Sequence, residues 1–192
     1  IERNFYEYNP AAETTKEIRV KNPVMAYSTV LRGRYLFGVN SRSPLVGVLI
    51  PSSVLKYDLA ARRLVSARRG GILGYYDIKE IGDTGRFVAS NLWTGGGVMF
   101  DSNLNTLGEI DFPRGVRNFG LDREGNYLFA PNFFSGYMRV VDIRSNRFLE
   151  NSYFVGKGTR AVRLAGNGRV LIANSCGLVE VDPETVAPEK RK

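Results

Sequence analysis

Histidine is absent from the 192 residues. That removes the commonest general base, the commonest zinc and copper ligand and the usual haem axial ligand. Any chemistry would have to run on Asp, Glu, Tyr, Lys, Arg or Cys. A single cysteine, Cys176, excludes an internal disulfide framework. With no histidine to act as its base, the expectation for Cys176 is a buried structural thiol. The longest apolar run, around Leu45 to Ile50, is far too short to span a bilayer. No charged segment followed by an apolar stretch opens the chain, so no signal peptide is seen, yet the first residue is Ile1. The expectation is a removed leader or a piece of something longer.

What is present is a globular composition, with 43% hydrophobic and 11% aromatic residues. The length suits one domain with a sizeable core. The formal net charge is +8, with arginine ahead of lysine. Such a balance attracts anionic partners, the alternative being a solvated basic surface that only keeps the chain soluble.

Internal repetition organises the rest. Four segments carry glycine, a polar residue, an apolar alternation and asparagine: "GRYLFGVN", "GRFVASN", "GNYLFAPN" and "GRVLIAN". Their asparagines, Asn40, Asn91, Asn132 and Asn174, recur 51, 41 and 42 residues apart. A second marker follows each one, at Asp58, Asp101, Asp142 and Asp182, with steps of 43, 41 and 40. In the opening stretch, "FYEYNPAAETTKEIRV", Asn9 takes the place of the aspartate. Each unit reads as four short strands with Gly, Asn and Asp at the joints. In the third full copy these run about 115–121, 126–130, 137–141 and 147–155. Helical periodicity is absent except for ambiguous runs such as Ala60 to Ala67. Four strands in roughly 40–45 residues is the blade of a β-propeller, so the expected fold is all-β with four-stranded antiparallel blades.

The stretch "GVRNFGLDREGNYLFAPNFFSGYMRVVDIRSNRF" resembles the YVTN-type propeller repeat, and more loosely NHL-type blades. The shared pattern is a strand, a D-x-x-G turn, an apolar strand ending in x-N and a strand ending in V-[ILV]-D. The resemblance covers nearly the whole chain and implies architecture rather than function. It tilts the expected compartment toward an exported one, periplasmic or extracellular. One propeller domain over 1–192 is expected, with about four to five blades represented: 1–20 in part, 21–69, 70–111, 112–155, and 156–192 in part. The leading pair of strands and the trailing three overlap by one strand, Phe5 to Tyr8 against Leu178 to Val181. A small closed ring would need one of them displaced. The reading adopted is an incomplete ring or a segment of a larger propeller, completed by further blades or by a partner.

In a blade of this kind the loops from strand two to three and from strand four to one share a face. That face collects Lys21, Arg42, Arg68, Arg69, Trp93, Arg114, Phe133, Phe134, Lys157 and Arg160, with few carboxylates. Guanidinium groups beside exposed aromatics suit an anionic ligand; the alternative is aromatics packed between blades and a solvated arginine rim. The insertion "SRSPLVGVLIPSS" carries Leu45, Val46, Val48, Leu49 and Ile50, read either as a partner-docking patch or as a longer core strand. "GKGTRA" at 156–161 imitates a dinucleotide fingerprint but leads into a strand, so a connecting turn is expected. Asp101, Asn103 and Asn105 stand at calcium-loop spacing, but Thr106 occupies the glycine position and Phe112 the glutamate position; a hairpin turn explains them without metal. Asp77, Lys79 and Glu80 fall on or near an inner strand that faces the channel.

Two functional classes follow. The first, adopted here, is a non-catalytic scaffold that mediates protein–protein interaction through a basic, aromatic face, with no cofactor and no metal. The second is a subunit or fragment of a propeller enzyme of the lactonase-like or quinoprotein dehydrogenase-like kind, which the resemblance implies and the missing histidine disfavours. An anionic ligand is compatible with the first class. Nucleic acid is a third and less favoured partner.

Overall fold

The computed structural model describes residues 5–18, 28–40, 53–69 and 75–187. A leading hairpin joins β1 (Phe5–Asn9) to β2 (Thr14–Ile18). Blade one pairs β3 (Ser28–Arg32), β4 (Tyr35–Asn40), β5 (Ser53–Asp58) and β6 (Arg63–Arg69) in chain order. Blade two repeats this with β7 (Tyr75–Glu80), β8 (Phe87–Asn91), β9 (Gly97–Phe100) and β10 (Thr106–Ile110). Blade three holds β11 (Gly120–Leu121), β12 (Tyr127–Pro131), β13 (Tyr137–Asp142) and β14 (Arg147–Phe154). Blade four has β15 (Ala161–Leu164), β16 (Val170–Asn174) and β17 (Gly177–Val181), followed by one helical turn, α1 (Pro183–Val186). All pairings are antiparallel, and the four sheets stand in a ring with β3, β7, β11 and β15 innermost, a four-bladed β-propeller arrangement.

The apolar runs at the second strands follow from burial on both faces. Along β12, Tyr127 and Phe129 enter the core shared with blade four, whereas Leu128 and Ala130 enter the core shared with blade two. Along β8, Phe87 and Ala89 face blade one and Val88 faces blade three. Phe37 stacks on Phe87 across the first of these interfaces, with centroids 4.2 Å apart. Each fully buried side chain of this size contributes about 1.5–3 kcal/mol, so the hydrophobic cores make the larger contribution to holding the blades face to face.

The aspartate marker is a turn device. Asp101 and Asp142 accept backbone N–H groups of their own hairpins, Asn103 and Asn105 in one case and Arg144 and Ser145 in the other. Asp58 accepts from Ala61. Asn9 accepts from Ala11 and Ala12, so it does stand in for the aspartate. Asp182 instead caps α1, accepting the Glu184 N–H at 2.9 Å with Pro183 in the first helical position.

Three details depart from the sequence reading. Among the described residues β1 pairs with β2 alone and β17 with β16 alone, so the overlap of Phe5 to Tyr8 with Leu178 to Val181 is not formed. The leading hairpin leans on blade one, where Ile18 packs with Leu55 and Tyr57. The inner strand of blade three shrinks to Gly120–Leu121 plus a bridge between Val116 and Asn132, because the Phe119 N–H is donated to Asp77 Oδ2 of blade two at 3.2 Å. The ambiguous run from Ala60 to Ala67 is a turn and the start of β6.

Candidate binding face

The asparagine marker builds the loop face. Asn132 Oδ1 accepts the N–H groups of Phe134 and Ser135, both at 2.9 Å, which shapes the β12–β13 loop. Its Nδ2 donates to the Arg114 carbonyl in the β10–β11 link. Asn174 does the same, accepting from Cys176 and donating to the Val155 carbonyl. The residue after each of those carbonyls is glycine, Gly115 (φ +85) and Gly156 (φ +92), and a Cβ on either would lie 2.7 Å from the asparagine amide nitrogen. In blades three and four the repeat therefore locks the 2–3 loop to the link that enters the blade. Phe133 is then pinned twice, donating its N–H to the Gly115 carbonyl at 2.7 Å and accepting the Gly158 N–H at 2.8 Å.

On this framework sits a cluster of arginines and rings. The Arg117 guanidinium lies 5.3 Å from the Tyr76 ring centroid and 5.5 Å from that of Phe133. Arg160 lies 5.6 Å from the same Phe133 ring. Phe134 meets Phe133 edge-on at 5.3 Å and Trp93 of blade two at 6.5 Å, tilted 44°. Trp93 and Phe134 are 38% and 56% exposed, so they form an open apolar notch beside the guanidinium groups. Arg114 and Lys157 are exposed on the same loops, Arg114 with its Nε donating to the Thr94 carbonyl at 3.4 Å. Among the described residues of these loops and links the one carboxylate is Asp111, whose N–H is tied to Asn146 at the outer turn of blade three. Cations over ring faces are favourable by about 0.5–1 kcal/mol at exposed sites, and the Arg160 guanidinium stands on an exposed residue.

Of the sequence candidates, the structure brings together Trp93, Arg114, Phe133, Phe134, Lys157 and Arg160. Arg68 is drawn elsewhere, donating to the Leu104 carbonyl in the β9–β10 turn at 3.0 Å. Arg69 is exposed at the end of β6. Lys21, Arg42, Leu45, Val46, Val48, Leu49 and Ile50 lie outside the described residues. Arg117 and Tyr76 escaped the sequence reading. The one available signal was that Arg117 shares a link with Arg114, two residues past the glycine that starts the unit.

The remaining candidates resolve as follows. Residues 156–161 form the link into β15, a strand, and offer no helix N-terminus to a pyrophosphate. Asp101 turns its oxygens on its own hairpin, and the hydrogen bond from the Asn105 side chain, at 2.9 Å, holds its carboxyl below the usual range. Cys176 is exposed, not buried, because Asn174 pairs with Gly177 and leaves Ser175 and Cys176 at the hairpin tip. Asp77 is a buried clip: Ser28 Oγ donates to it at 2.5 Å and the Phe119 N–H at 3.2 Å, joining blades one, two and three. Lys79 and Glu80 line the axial cavity. Among the described residues no helix is long and apolar enough to cross a membrane.

No protein-family model matches this sequence. No curated protein matches it either. Among solved structures, the fold is similar to a chain of Kuenenia stuttgartiensis hydrazine synthase, with a TM-score of 0.67 and 17% identity over 88% of this chain and 49% of that one. The chain thus spans about half the length of that enzyme's chain, and a likeness at this identity carries architecture alone. Strand order, the shared cores between successive sheets and this neighbour agree on one conclusion: the chain folds as a β-propeller.

Proposed function

We propose that this chain is a non-catalytic propeller scaffold whose loop face, from Trp93 to Arg160, takes an acidic segment of a protein partner. The observation that carries the reading is the arrangement of Arg117 and Arg160 over Phe133, beside the exposed notch of Trp93 and Phe134. Guanidinium edges suit bidentate carboxylates, and exposed rings in a notch suit apolar side chains interspersed with the acids. The 44° tilt of Trp93 against Phe134 favours a peptide over successive stacked bases, which prefer parallel platforms. The repeat pattern quoted above supports placing the blades with the YVTN-type and NHL-type propellers as part of the same reading.

The test uses a fluorescein-labelled peptide alternating glutamate pairs with phenylalanine, read by anisotropy, with a lysine counterpart and oligo(dT) as comparators. The acidic peptide binds saturably, and Arg117→Met and Phe134→Ser each weaken it by about tenfold or more. Tighter capture of oligo(dT), with affinity falling steeply with salt, would replace the protein partner by single-stranded nucleic acid. Unchanged peptide affinity in Arg117→Met would remove this face as the site.

A further inference from the structure

Blade three carries a second pair of exposed rings, beyond the notch of Trp93 and Phe134. Tyr137 opens β13 and pairs with Phe154, which closes β14. The two rings meet edge-on, with centroids 5.4 Å apart and planes at 65°. They are open to solvent, at 50% and 63% exposure, and belong to none of the cores shared between blades. The fold does not call for rings here. The same pairing, first residue of the third strand with last of the fourth, is Ser53 with Arg69 in blade one. In blade two it is Gly97 with Ile110, and Ile110 is buried in the core.

The loop between β12 and β13 joins this pair to the first one. Phe134 meets Trp93 from that loop, and a Cβ on Gly115, the neighbour of Arg114, would lie 3.0 Å from the Phe134 ring. At the other end of the loop, a Cβ on Gly136 would lie 2.9 Å from the Phe154 ring and 2.9 Å from the Lys157 backbone nitrogen. The Phe154 ring therefore rests against the link that carries Lys157, an exposed residue. The Val155 N–H donates to the Gly136 carbonyl at 2.9 Å, which ties the end of β14 to the loop. Two exposed ring pairs thus flank one loop, the first beside Arg114 and the second beside Lys157. Neither the loop, 131–137, nor the stretch 154–160 contains a carboxylate.

We propose that Tyr137 and Phe154, beside Lys157, form a second apolar anchor site for the partner segment, which therefore carries two acidic–apolar units. This rests on the loop-face reading and adds the partner's pattern to it. Each ring pair gives an apolar side chain two ring edges and faces to cover, and each neighbouring cation suits the acid beside that side chain. Because both anchors belong to one rigid blade and its links, a spacer of matching length lets the second unit bind at high effective concentration.

The test is anisotropy with fluorescein-labelled peptides. One holds a single Glu-Glu-Phe unit; the others hold two such units joined by serine–glycine spacers of graded length. At the matching spacer the two-unit peptide binds about tenfold or more tighter than the one-unit peptide. Phe154→Ser and Tyr137→Thr each remove that gain and leave the one-unit affinity unchanged, whereas Phe134→Ser weakens both peptides. Both substituted residues are exposed, and threonine keeps strand propensity at the start of β13, so the fold is retained. Equal affinity of one-unit and two-unit peptides at every spacer, or a gain that survives both substitutions, would overturn the second anchor and leave the loop-face reading standing. An equal gain from a second unit of Lys-Lys-Phe would overturn the acidic part of the pattern. No saturable binding of any of these peptides to the wild-type protein would overturn the loop-face reading, and the second anchor with it.

Discussion

Asn132→Ala and Gly115→Ala, made singly and together, probe the lock that places the loop face. The alanine at 132 removes two acceptor contacts to Phe134 and Ser135 and one donor contact to Arg114. Each such bond is worth about 0.5–1.5 kcal/mol net, and water reaches this half-buried loop, so the single change costs roughly 2 kcal/mol. At Gly115 the φ of +85° alone costs an alanine about 1–2 kcal/mol. The new Cβ would also stand 2.7 Å from Asn132 Nδ2 and 3.0 Å from Oδ1, so the amide must move and give up its own bonds. That brings the Gly115→Ala cost to roughly 3 kcal/mol. In the double variant the methyl enters space the asparagine has left, so only the φ cost adds to the Asn132→Ala loss. The pair should therefore be less destabilising than the sum by about 1.5 kcal/mol. Urea unfolding at constant m measures all three variants. Additivity within about 0.5 kcal/mol would mean that Gly115 and Asn132 act independently, and the lock would be refuted. Gly156 and Asn174 provide an internal repeat of the same cycle.

Three further changes test other parts of the framework. Gly97→Ala places a Cβ 2.6 Å from the Phe112 ring and 2.7 Å from the Ala89 carbonyl, so it should cost about 2 kcal/mol or more by overpacking; a neutral effect in thermal unfolding would show that the β9 contact yields easily. Asp77→Asn leaves Lys79 without its counter-charge, and because that side chain keeps 20% exposure the expected loss at neutral pH is roughly 2–3 kcal/mol. Lys79 binds its proton less tightly folded than unfolded, so stability rises as pH climbs from its folded toward its unfolded value, and more so in the variant. The gap in Tm between wild type and Asp77→Asn should thus narrow between neutral pH and about pH 10; a constant gap would show that Asp77 acts only through its hydrogen bonds. The exposed Cys176 should react with a disulfide dye in the native state at the rate of an open thiol and leave Tm unchanged; reaction only in denaturant would contradict its place at the hairpin tip.

The difference between what the sequence announced and what it hid lies in which atoms do each job. Backbone N–H groups at the 2–3 loop can be gathered by a short side chain that also reaches the next link, and asparagine both accepts and donates at that range. Asn132 and Asn174 are therefore the same residue type doing the same work, and the period shows. The both-face burial of β8 and β12 likewise forces apolar runs such as Phe87 to Ala89 and Tyr127 to Ala130. Cys176 misled because its side chain is apolar, whereas the two-residue tip exposes whatever stands there. The Tyr76–Arg117–Phe133 stack was hidden for a plainer reason, since it joins an inner strand of blade two to a loop of blade three.

The outer rim shows the same rule from the other side. The end of the outermost strand of each blade meets the turn or helix that follows the third strand of the next. Between blades one and two, Arg68 donates to the Leu104 carbonyl. Between two and three, Asn146 donates to the Glu109 carbonyl at 3.4 Å and accepts the Asp111 N–H at 3.0 Å. Between three and four, the Tyr153 hydroxyl donates to the Val186 carbonyl at 3.5 Å. One geometry is served by arginine, asparagine and tyrosine, because a backbone carbonyl accepts from any donor long enough to reach it. No periodic letter marks this contact, and Arg68 was consequently read as a free binding cation. The residues of the loop face that remain once such rim and lock duties are assigned, Trp93, Phe134, Lys157 and Arg160, carry no comparable side-chain hydrogen bond to a neighbouring blade among the described residues. The proposed reading assigns them, together with Arg117, to the partner.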